Sequence, residues 1–382
     1  MHKAERMSLD RISTLPQPIL EAILCHLSTK EAARTSILSR EWRYKWTTIP
    51  KLELSHSVWC ESASNQTSGI ASSRRNRNMR CKSCYDMQHI LLLRQGPIHE
   101  LSFYIPEDDC LGLDPIMLHL SRNHPVKKLT LSNWDCYSSY KLPTSLFSFH
   151  HLTDLDINCL DINCLDLDHP QIFNGFGSLK TLCLRFVGIS SKTLLCLLSN
   201  CPSLKTLTLL VGYADDKCTV NELFECLPMI EHLTTWPRVS RWLVLDLVLQ
   251  VLPTSLIHLK DICFEQIFRV HGYGLAFLLV LIKCSPNLET IKLECDSDDD
   301  CEEYFVVWEE YSDVWLEHLN ELEIACFSNS KPEMDFVKFI LARSPKLKKV
   351  TIRSIVHRDQ ESKMLKTLLQ APRVSPVIIT VR

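Results

Sequence analysis

Three apolar positions, spaced as the first, fourth and sixth residues of a short segment, recur along most of this chain. The first such segment is "IHELSF", the last is "LKKVTI", and successive segments begin 25 to 32 residues apart. The ten segments begin at Ile98, Val126, Leu152, Leu179, Leu204, Ile230, Leu256, Leu288, Leu319 and Leu347. Alternation between the fourth and sixth positions predicts a short strand with one buried face. A single unit cannot bury its apolar face alone, so the units are expected to stack.

The sequence between the strand segments predicts helices. "SKTLLCLLSNCPSL" and "MDFVKFILARSPKL" each place an apolar helical run before a proline, Pro202 or Pro345. Proline lacks an amide donor and disfavours helical dihedrals in the preceding residue, so a helix ends there. A strand, a loop, a helix and a proline in a unit of this length are the signature of leucine-rich repeats. We therefore predict an α/β fold whose main part is a curved leucine-rich-repeat solenoid with a parallel strand sheet. Two units are irregular, because Thr235 and Asp261 fill the third apolar position.

The composition is that of an ordinary globular protein, with 46% hydrophobic and 23% charged residues in a chain of 382. The formal net charge of -3 provides no overall basic field that would attract nucleic acid or an anionic membrane. The longest apolar stretches are shorter than the ~20 residues that span a bilayer. We expect the 18 cysteines to be reduced thiols, because the start lacks an apolar signal segment and many cysteines stand in apolar runs. These features predict a location in the nucleus, the cytoplasm or both.

The N-terminal segment predicts three short helices ahead of the repeats. The first is "PILEAILCHL", whose apolar residues follow helical spacing. "STKE" fits a capping box, in which Ser28 caps the second helix and Glu31 stands three residues further on. Ser39 can cap a third helix, "REWRYKW", which places Trp42 and Trp46 on one face. These helices are too small to form a stable core alone, since domains of about 40 residues are marginal.

This segment resembles an F-box, and its plant form in particular. The matching residues are Asp10, Ile12, Leu15, Pro16, Ile19, Leu20, Ile23, Leu24, Leu27, Thr35, Leu38, Ser39, Trp42 and Trp46. The resemblance implies docking of the helices onto a Skp-type adaptor, which links the protein to a cullin ubiquitin ligase. It implies adaptor contacts by Leu15, Pro16, Ile19, Leu20 and Ile23, with Leu38, Trp42 and Trp46 supporting that face. Tryptophans often anchor buried interfaces. The alternative is that both tryptophans pack the first helix against the first repeat.

The C-terminal part resembles the FBD region that follows leucine-rich repeats in plant F-box proteins. Residues 319–352 carry this match at Glu333, Phe336, Phe339, Leu341, Ser344, Pro345 and Leu347. "CFSNSKP" at 326–332 departs from the family pattern, which leads us to expect a glycine there. Residues 91–103 resemble the stretch that opens the repeats in this family. The predicted organisation is an F-box at 8–54, a basic linker at 55–90 that is predicted to be disordered, leucine-rich repeats at 91–318, and an FBD-like region at 319–382.

The sequence lacks the motifs of common catalytic and cofactor sites, including GxSxG, the P-loop, GxGxxG and HExxH. Cys81 and Cys84 form one CxxC, but structural zinc usually requires a second pair, so we predict neither a metal nor a cofactor. Basic residues at 74–82 are interpreted as part of a linker, with nuclear import or nucleic-acid contact as the alternative. "DSDDDCEE" at 296–303 is interpreted as a solvated acidic loop, which would favour a basic substrate if it lies on the concave side.

From the resemblance we predict a non-catalytic, substrate-recognition subunit of a Skp–cullin–F-box ubiquitin ligase. The F-box would bind the adaptor, and the repeats would hold an unknown target protein near the ubiquitin-charged enzyme, which raises the effective concentration of the target. The alternative is a non-degradative F-box and leucine-rich-repeat interaction scaffold. The sequence identifies neither the target nor a small-molecule co-ligand.

Overall fold

Twelve parallel strands form one sheet, which is the main part of the structure, a computed structural model. The structure describes residues 12–54, 88–105, 113–133, 142, 144–160, 162, 176–211, 218–236, 243–244, 256–267, 273–295, 308–356 and 358–382. Each strand pairs with the next strand of this sheet along the chain. Stacked units that each add one strand produce this order. The predicted α/β fold, an N-terminal helical segment followed by a curved leucine-rich-repeat solenoid, is confirmed.

The strands of the sheet are short, and their buried positions align from strand to strand, with one shift of register between Ile324 and Phe327. They are β1 (Lys51–Leu54), β2 (Glu100–Ile105), β3 (Lys128–Asn133), β4 (Asp154–Asn158), β5 (Thr181–Arg185), β6 (Thr206–Leu210), β8 (His232–Thr235), β10 (Asp261–Phe264), β11 (Thr290–Glu294), β12 (Glu321–Phe327), β13 (Lys349–Ser354) and β14 (Ile378–Val381). β7 (Cys218–Thr219) and β9 (Leu243–Val244) form a separate pair. Leu129 of β3 stands opposite Leu101 and Leu155, so the fourth positions of neighbouring units line up.

Helices connect many of the strands. The α-helices of the described residues with named bounds are α1 (Gln17–Leu24), α2 (Thr29–Arg34), α3 (Leu113–Asn123), α4 (Ser191–Ser199), α5 (Val220–Glu225), α6 (Tyr273–Cys284), α7 (Lys331–Arg343) and α8 (Arg358–Gln370). Residues 88–93 form another short helical segment. The described 3-10 helices with named bounds span Thr35–Ile37, Trp42–Thr48, Thr144–Ser148 and Trp308–Tyr311. α4 and α7 end shortly before Pro202 and Pro345, as predicted.

The repeated apolar positions build the core. In the fifth of the predicted units, Leu204, Leu207 and Leu209 are each at most 2% exposed. Burial of one such side chain stabilises the fold by about 1.5–3 kcal/mol. Thr235 keeps the pattern despite its hydroxyl, because it is buried opposite Leu209 and Phe264. The irregularity predicted at Thr235 is therefore a change of side chain within an ordinary strand.

One repeat was predicted to begin at Leu256, and this starting residue is wrong by three positions. β10 buries Ile262 and Phe264, and Ile262 pairs with Ile291 of β11. The unit therefore begins at Leu259, which lies 29 residues from both Ile230 and Leu288. Asp261 occupies a partly exposed position of the strand. Leu256 and Leu259 are both buried, so local hydrophobicity fits either phase, and pairing with the neighbouring strands decides between them.

Two strands of the twelve-stranded sheet were not predicted from the sequence, one at each end. β1 follows the pattern in "IPKLEL", where Ile49, Leu52 and Leu54 are buried. β14 pairs with β13 through Ile379 and Val381, which are only partly buried because the strand lies at the edge. β1 lies inside the predicted F-box segment, so this segment contributes directly to the repeat sheet.

Most of the described cysteines are free thiols that pack in apolar surroundings. Burial raises the pKa of the Cys201 and Cys284 thiols to about 12, which makes thiolate formation at neutral pH unfavourable. Cys159 differs, because it is disulfide-bonded, and the expectation of reduced thiols is wrong at this position. Among the described residues, no helix has the length and apolar character needed to cross a membrane.

Candidate functional site

The first helix of the N-terminal segment is apolar on two sides. α1 begins after Pro16, its N-cap, and has a proline in its first turn, where the missing amide donor is tolerated. Leu20 and Leu24 are 1% exposed and face the core. Ile19 and Ile23, also four residues apart, remain 48% and 43% exposed. A helix that faces a single core keeps apolar residues on one side, so the second apolar side of α1 is available to a partner.

The second helix is fixed by the predicted capping box. The Ser28 hydroxyl accepts from the Glu31 amide at 3.3 Å, and the Glu31 carboxylate accepts from the Ser28 amide at 3.0 Å. These hydrogen bonds hold the pKa of the Glu31 carboxyl below its usual range. After α2 the chain forms the 3-10 turn Thr35–Ile37, which leaves Ile37 and Leu38 at 87% and 66% exposed. The capping box thus sets the point at which α2 begins.

Both tryptophans face inward. The predicted third helix is a 3-10 helix, and the Ser39 hydroxyl accepts from the Trp42 amide at 3.4 Å. Trp42 and Trp46 are each 7% exposed, and the Trp42 indole nitrogen donates to the Ser13 hydroxyl at 2.7 Å. The residues buried in this core are Leu20, Leu24, Ala32, Trp42, Trp46 and Ile49. The tryptophans therefore pack α1 and α2 against the start of the sheet.

The eight residues predicted to form the adaptor site divide into two groups. Pro16, Ile19, Ile23 and Leu38 are exposed, and Leu15 is half-buried. Leu20, Trp42 and Trp46 are buried. Ile12 and Ile37 are exposed as well, at 55% and 87%, and neither was included in the predicted contact set. We call the six exposed residues the N-terminal apolar surface, and they are Ile12, Pro16, Ile19, Ile23, Ile37 and Leu38.

The helical segment is tied to the repeats by backbone and side-chain hydrogen bonds. The amides of Gln95 and Gly96 donate to the Thr47 carbonyl at 3.1 and 3.3 Å. The Arg94 guanidinium donates to the Trp46 carbonyl at 3.0 Å and also to the Ile49 carbonyl. A Cβ at Gly96 would lie 2.7 Å from the Thr48 carbonyl oxygen, so only glycine permits this approach. The packing therefore places the N-terminal apolar surface on an element joined to the sheet.

The C-terminal end of the predicted linker packs at this junction. Of residues 55–90 the structure describes 88–90, which are helical, and Ile90 packs against the tryptophan core. The rest of the predicted linker, including Cys81, Cys84 and the basic residues at 74–82, lies outside the described residues. Within the described part of the chain, no cluster of three or more histidine, cysteine or carboxylate side chains could hold a metal ion.

The residues that match the FBD region are structural. Phe336, Leu341 and Ser344 are completely buried. Glu333, 2% exposed, accepts hydrogen bonds from the Ser330 amide at 2.9 Å and from the Ser328 hydroxyl at 3.0 Å. The glycine expected in "CFSNSKP" has a physical reason, because Cys326 and Asn329 have φ angles of 55° and 64°. The turn thus uses left-handed backbone without glycine.

Comparisons with known proteins match three parts of this chain. The family model for the F-box domain matches residues 12–54, and the FBD model matches residues 315–352. The model for the LRR repeats of the FBD-associated F-box protein At5g56370 matches residues 116–240. The F-box/FBD/LRR-repeat protein At1g13570 of Arabidopsis thaliana is 30% identical over 97% of each chain. The chain belongs to the plant F-box/FBD/LRR-repeat family.

Other proteins are similar to this family member over different parts of it. The Arabidopsis thaliana F-box/FBD/LRR-repeat protein At3g26920 is 23% identical, over 96% of this chain and 94% of its own. The Arabidopsis protein At1g51370, also described as F-box/FBD/LRR-repeat, is 58% identical over only 12% of this chain and 10% of its own. Among solved structures, the leucine-rich repeat-containing protein LegL7 of Legionella pneumophila covers 71% of this chain and 90% of its own, with 14% identity and a TM-score of 0.36.

Proposed function

We propose that this chain is the substrate-recognition subunit of a Skp–cullin–F-box ubiquitin ligase, in which the N-terminal apolar surface binds a Skp-type adaptor. The observation that supports this most is the exposure of Ile19, Ile23 and Leu38 around a core that is already packed. Large apolar side chains exposed on one short segment of the chain favour a protein partner, because water contact with them is unfavourable.

The buried members of the predicted site act indirectly in this proposal. Leu20 and Leu24 fix the rotation of α1, so that Ile19 and Ile23 face outward. Trp42 supports the same helix through its core contacts and its hydrogen bond to Ser13. Contact with the adaptor is then made by the exposed residues, and the tryptophans stabilise the element that presents them.

The repeats supply the second binding surface. Alternate residues of the strands face the core, and most residues on the other side of the sheet remain at least partly exposed. Cys183, Leu210 and Thr351 are buried on that side. The target protein binds to this open sheet face, while the adaptor connects the complex to a cullin. The chain itself acts by binding and without catalysis, since it needs only to hold the target close to the ubiquitin-charged enzyme. We propose the nucleus, the cytoplasm or both as its location.

A pull-down of the full chain with a plant Skp-type adaptor tests the first part. We expect Ile19→Ala/Ile23→Ala to weaken adaptor binding about ten- to hundred-fold, because loss of apolar anchors in an interface is costly. Ile257→Ala is the matched control, since Ile257 is 51% exposed but lies among the repeats. Failure of the folded wild type to bind, or equal binding by both variants, would contradict the adaptor role.

Reconstitution with the adaptor, a cullin and a ubiquitin-charged enzyme tests the second part. A ligase subunit supports ubiquitin transfer to proteins held in the complex, and Ile19→Ala/Ile23→Ala should reduce that transfer together with adaptor binding. Adaptor binding without any ubiquitin transfer would favour the non-degradative scaffold instead.

A further inference from the structure

The open sheet face contains a row of residues that immediately follow the buried sixth positions. Phe264 of β10 stands opposite Thr235 of β8 and Leu293 of β11, so the residues after them share a row. This row includes Arg185, Trp236, Glu265 and Glu294, which are partly or fully exposed, and Leu210, which is buried. The row joins five adjacent units at the carboxyl ends of their strands, which a single extended peptide can reach.

An exposed aromatic group lies at this edge of the sheet. Phe186, directly after β5, is 46% exposed and has a φ angle of 52°, which is uncommon for a residue other than glycine. Its ring meets the Trp236 ring edge-on, with centroids 5.5 Å apart and an interplanar angle of 86°. The Trp236 indole nitrogen donates to the Gln266 side-chain oxygen at 2.7 Å. Contacts between separate units therefore hold a large apolar surface in solvent.

The charges beside the aromatic group are unbalanced. Arg185 pairs with Asp156 at 3.0 Å, and Arg353 pairs with Glu323. Among the described residues, Glu265 and Glu294 take part in no ion pair, although Lys292 is on the same strand as Glu294. Burial, reinforced by the nearby Glu294 carboxylate, raises the pKa of the Glu265 carboxyl, while Arg185 opposes this shift. A cation between the two carboxylates would relieve both the burial of charge and the repulsion.

We propose that this edge of the sheet binds a linear segment of the target protein in which a lysine or arginine stands next to a large apolar side chain. The apolar side chain packs on Phe186 and Trp236, and the basic group lies between Glu265 and Glu294. The adjoining aromatic faces also attract a cation. This inference rests on the proposed function, in which the open sheet face holds the target, and it specifies the chemistry of the bound segment.

The surrounding sequence has the same sign of charge. β11 is followed in the sequence by "DSDDDCEE" at 296–303, which lies outside the described residues and is not part of the proposed site. It adds carboxylates and no basic residue near the end of β11 in the sequence, so the net charge of this stretch favours a basic partner. An acidic or phosphorylated segment is disfavoured for the same reason.

A positional-scanning peptide library, bound to the full chain in low salt, tests the proposal. We expect selection of lysine or arginine adjacent to a large apolar residue. Glu265→Gln/Glu294→Gln should then lower the affinity for the selected peptide about ten-fold or more, because a charge-assisted contact is lost. Glu289→Gln, one residue before β11 and paired with Lys260 away from the row, should change the affinity less than two-fold.

A second variant tests the aromatic part without straining the backbone. Phe186→Gly removes the exposed ring and suits the left-handed φ angle, so the fold should persist while peptide affinity falls. Selection of acidic peptides, no charge preference, or affinities unchanged by both variants would overturn the proposal. Adaptor binding is measured on the same proteins and should be unaffected by these substitutions. If the adaptor role is wrong, the wild type will not bind the adaptor. The peptide measurement tests the sheet-edge site independently of that result.

Discussion

The Arg94 guanidinium, which precedes the first predicted repeat strand, donates a hydrogen bond to the Trp46 carbonyl oxygen of the F-box segment at 3.0 Å. A second donor of the same group reaches the Ile49 carbonyl. The two carbonyls belong to the stretch that leads from the tryptophan core into β1. One half-buried cation therefore satisfies two acceptors at the junction, and burial lowers the pKa of Arg94 to about 10, well above neutral pH.

Arg94→Ala is expected to lower the free energy of unfolding by about 2–4 kcal/mol, because two partly buried carbonyls lose a charged donor. Arg94→Lys should recover only part of this loss, since lysine lacks the fork of donors. Urea denaturation of the full chain measures both changes. Arg40→Ala, at an exposed position, is the control, and an equal effect of Arg40→Ala and Arg94→Ala would contradict a specific role for the junction.

In the F-box segment, we expect substitution of a buried residue to lower stability and substitution of an exposed residue to weaken adaptor binding with little loss of stability. Trp42→Ala is expected to cost about 3–5 kcal/mol of unfolding free energy, because it empties a packed core and removes the partner of Ser13. Ile23→Ala, at a side chain 43% exposed, should change stability by less than about 1 kcal/mol while still weakening adaptor binding. Thermal melts and adaptor pull-downs on both variants provide the measurement. A strong loss of stability in Ile23→Ala would show that this side chain belongs to the core.

We expect the fold to lose stability in mild acid because of His124. Burial lowers the pKa of His124, with a further contribution from the Arg94 cation, so the folded state resists a proton that the unfolded chain accepts. The unfolded state therefore binds more protons below about pH 6.5, and the contribution of His124 to stability falls as the pH drops from that value toward the lowered folded pKa. Denaturation of the wild type and His124→Gln from pH 7.5 to 5.5 should show a smaller pH dependence in the variant. Parallel curves would contradict the prediction.

At Asn329, in the turn of the FBD region, we expect glycine to be tolerated and a β-branched residue to lower the stability. Asn329 has a φ angle of 64°, which asparagine tolerates and glycine adopts freely. Asn329→Gly should leave the unfolding free energy within about 1 kcal/mol of the wild type, whereas Asn329→Val should lower it by about 1–2 kcal/mol or more. Urea denaturation compares the two variants. If the Asn329→Val variant were as stable as the Asn329→Gly variant, a left-handed backbone at this position would be excluded.

The repeat period and the buried positions of its strands could be predicted from sequence, because alternation of side chains along a strand is a local property. The same holds for the Ser28–Glu31 capping box and for helices that end before Pro202 and Pro345, since these depend on residues a few positions apart. The eight candidate residues were named from the family resemblance, and their role in adaptor binding stays a prediction. Their division into exposed and buried groups could not be predicted, because Ile19 and Leu20 are chemically alike and differ only in what packs against them.

The amino-acid sequence thus determined the solenoid architecture, the element types and the segment that carries the N-terminal apolar surface. Tertiary structure alone decided that the unit at β10 begins with Leu259, that β1 joins the repeat sheet, and that Trp42 and Trp46 face inward. It also brought together Phe186, Trp236 and Gln266, which come from three separate units. The physical reason is that apolar periodicity specifies which side chains seek burial, whereas the neighbours that cover them are set by pairing and packing between residues far apart in the chain.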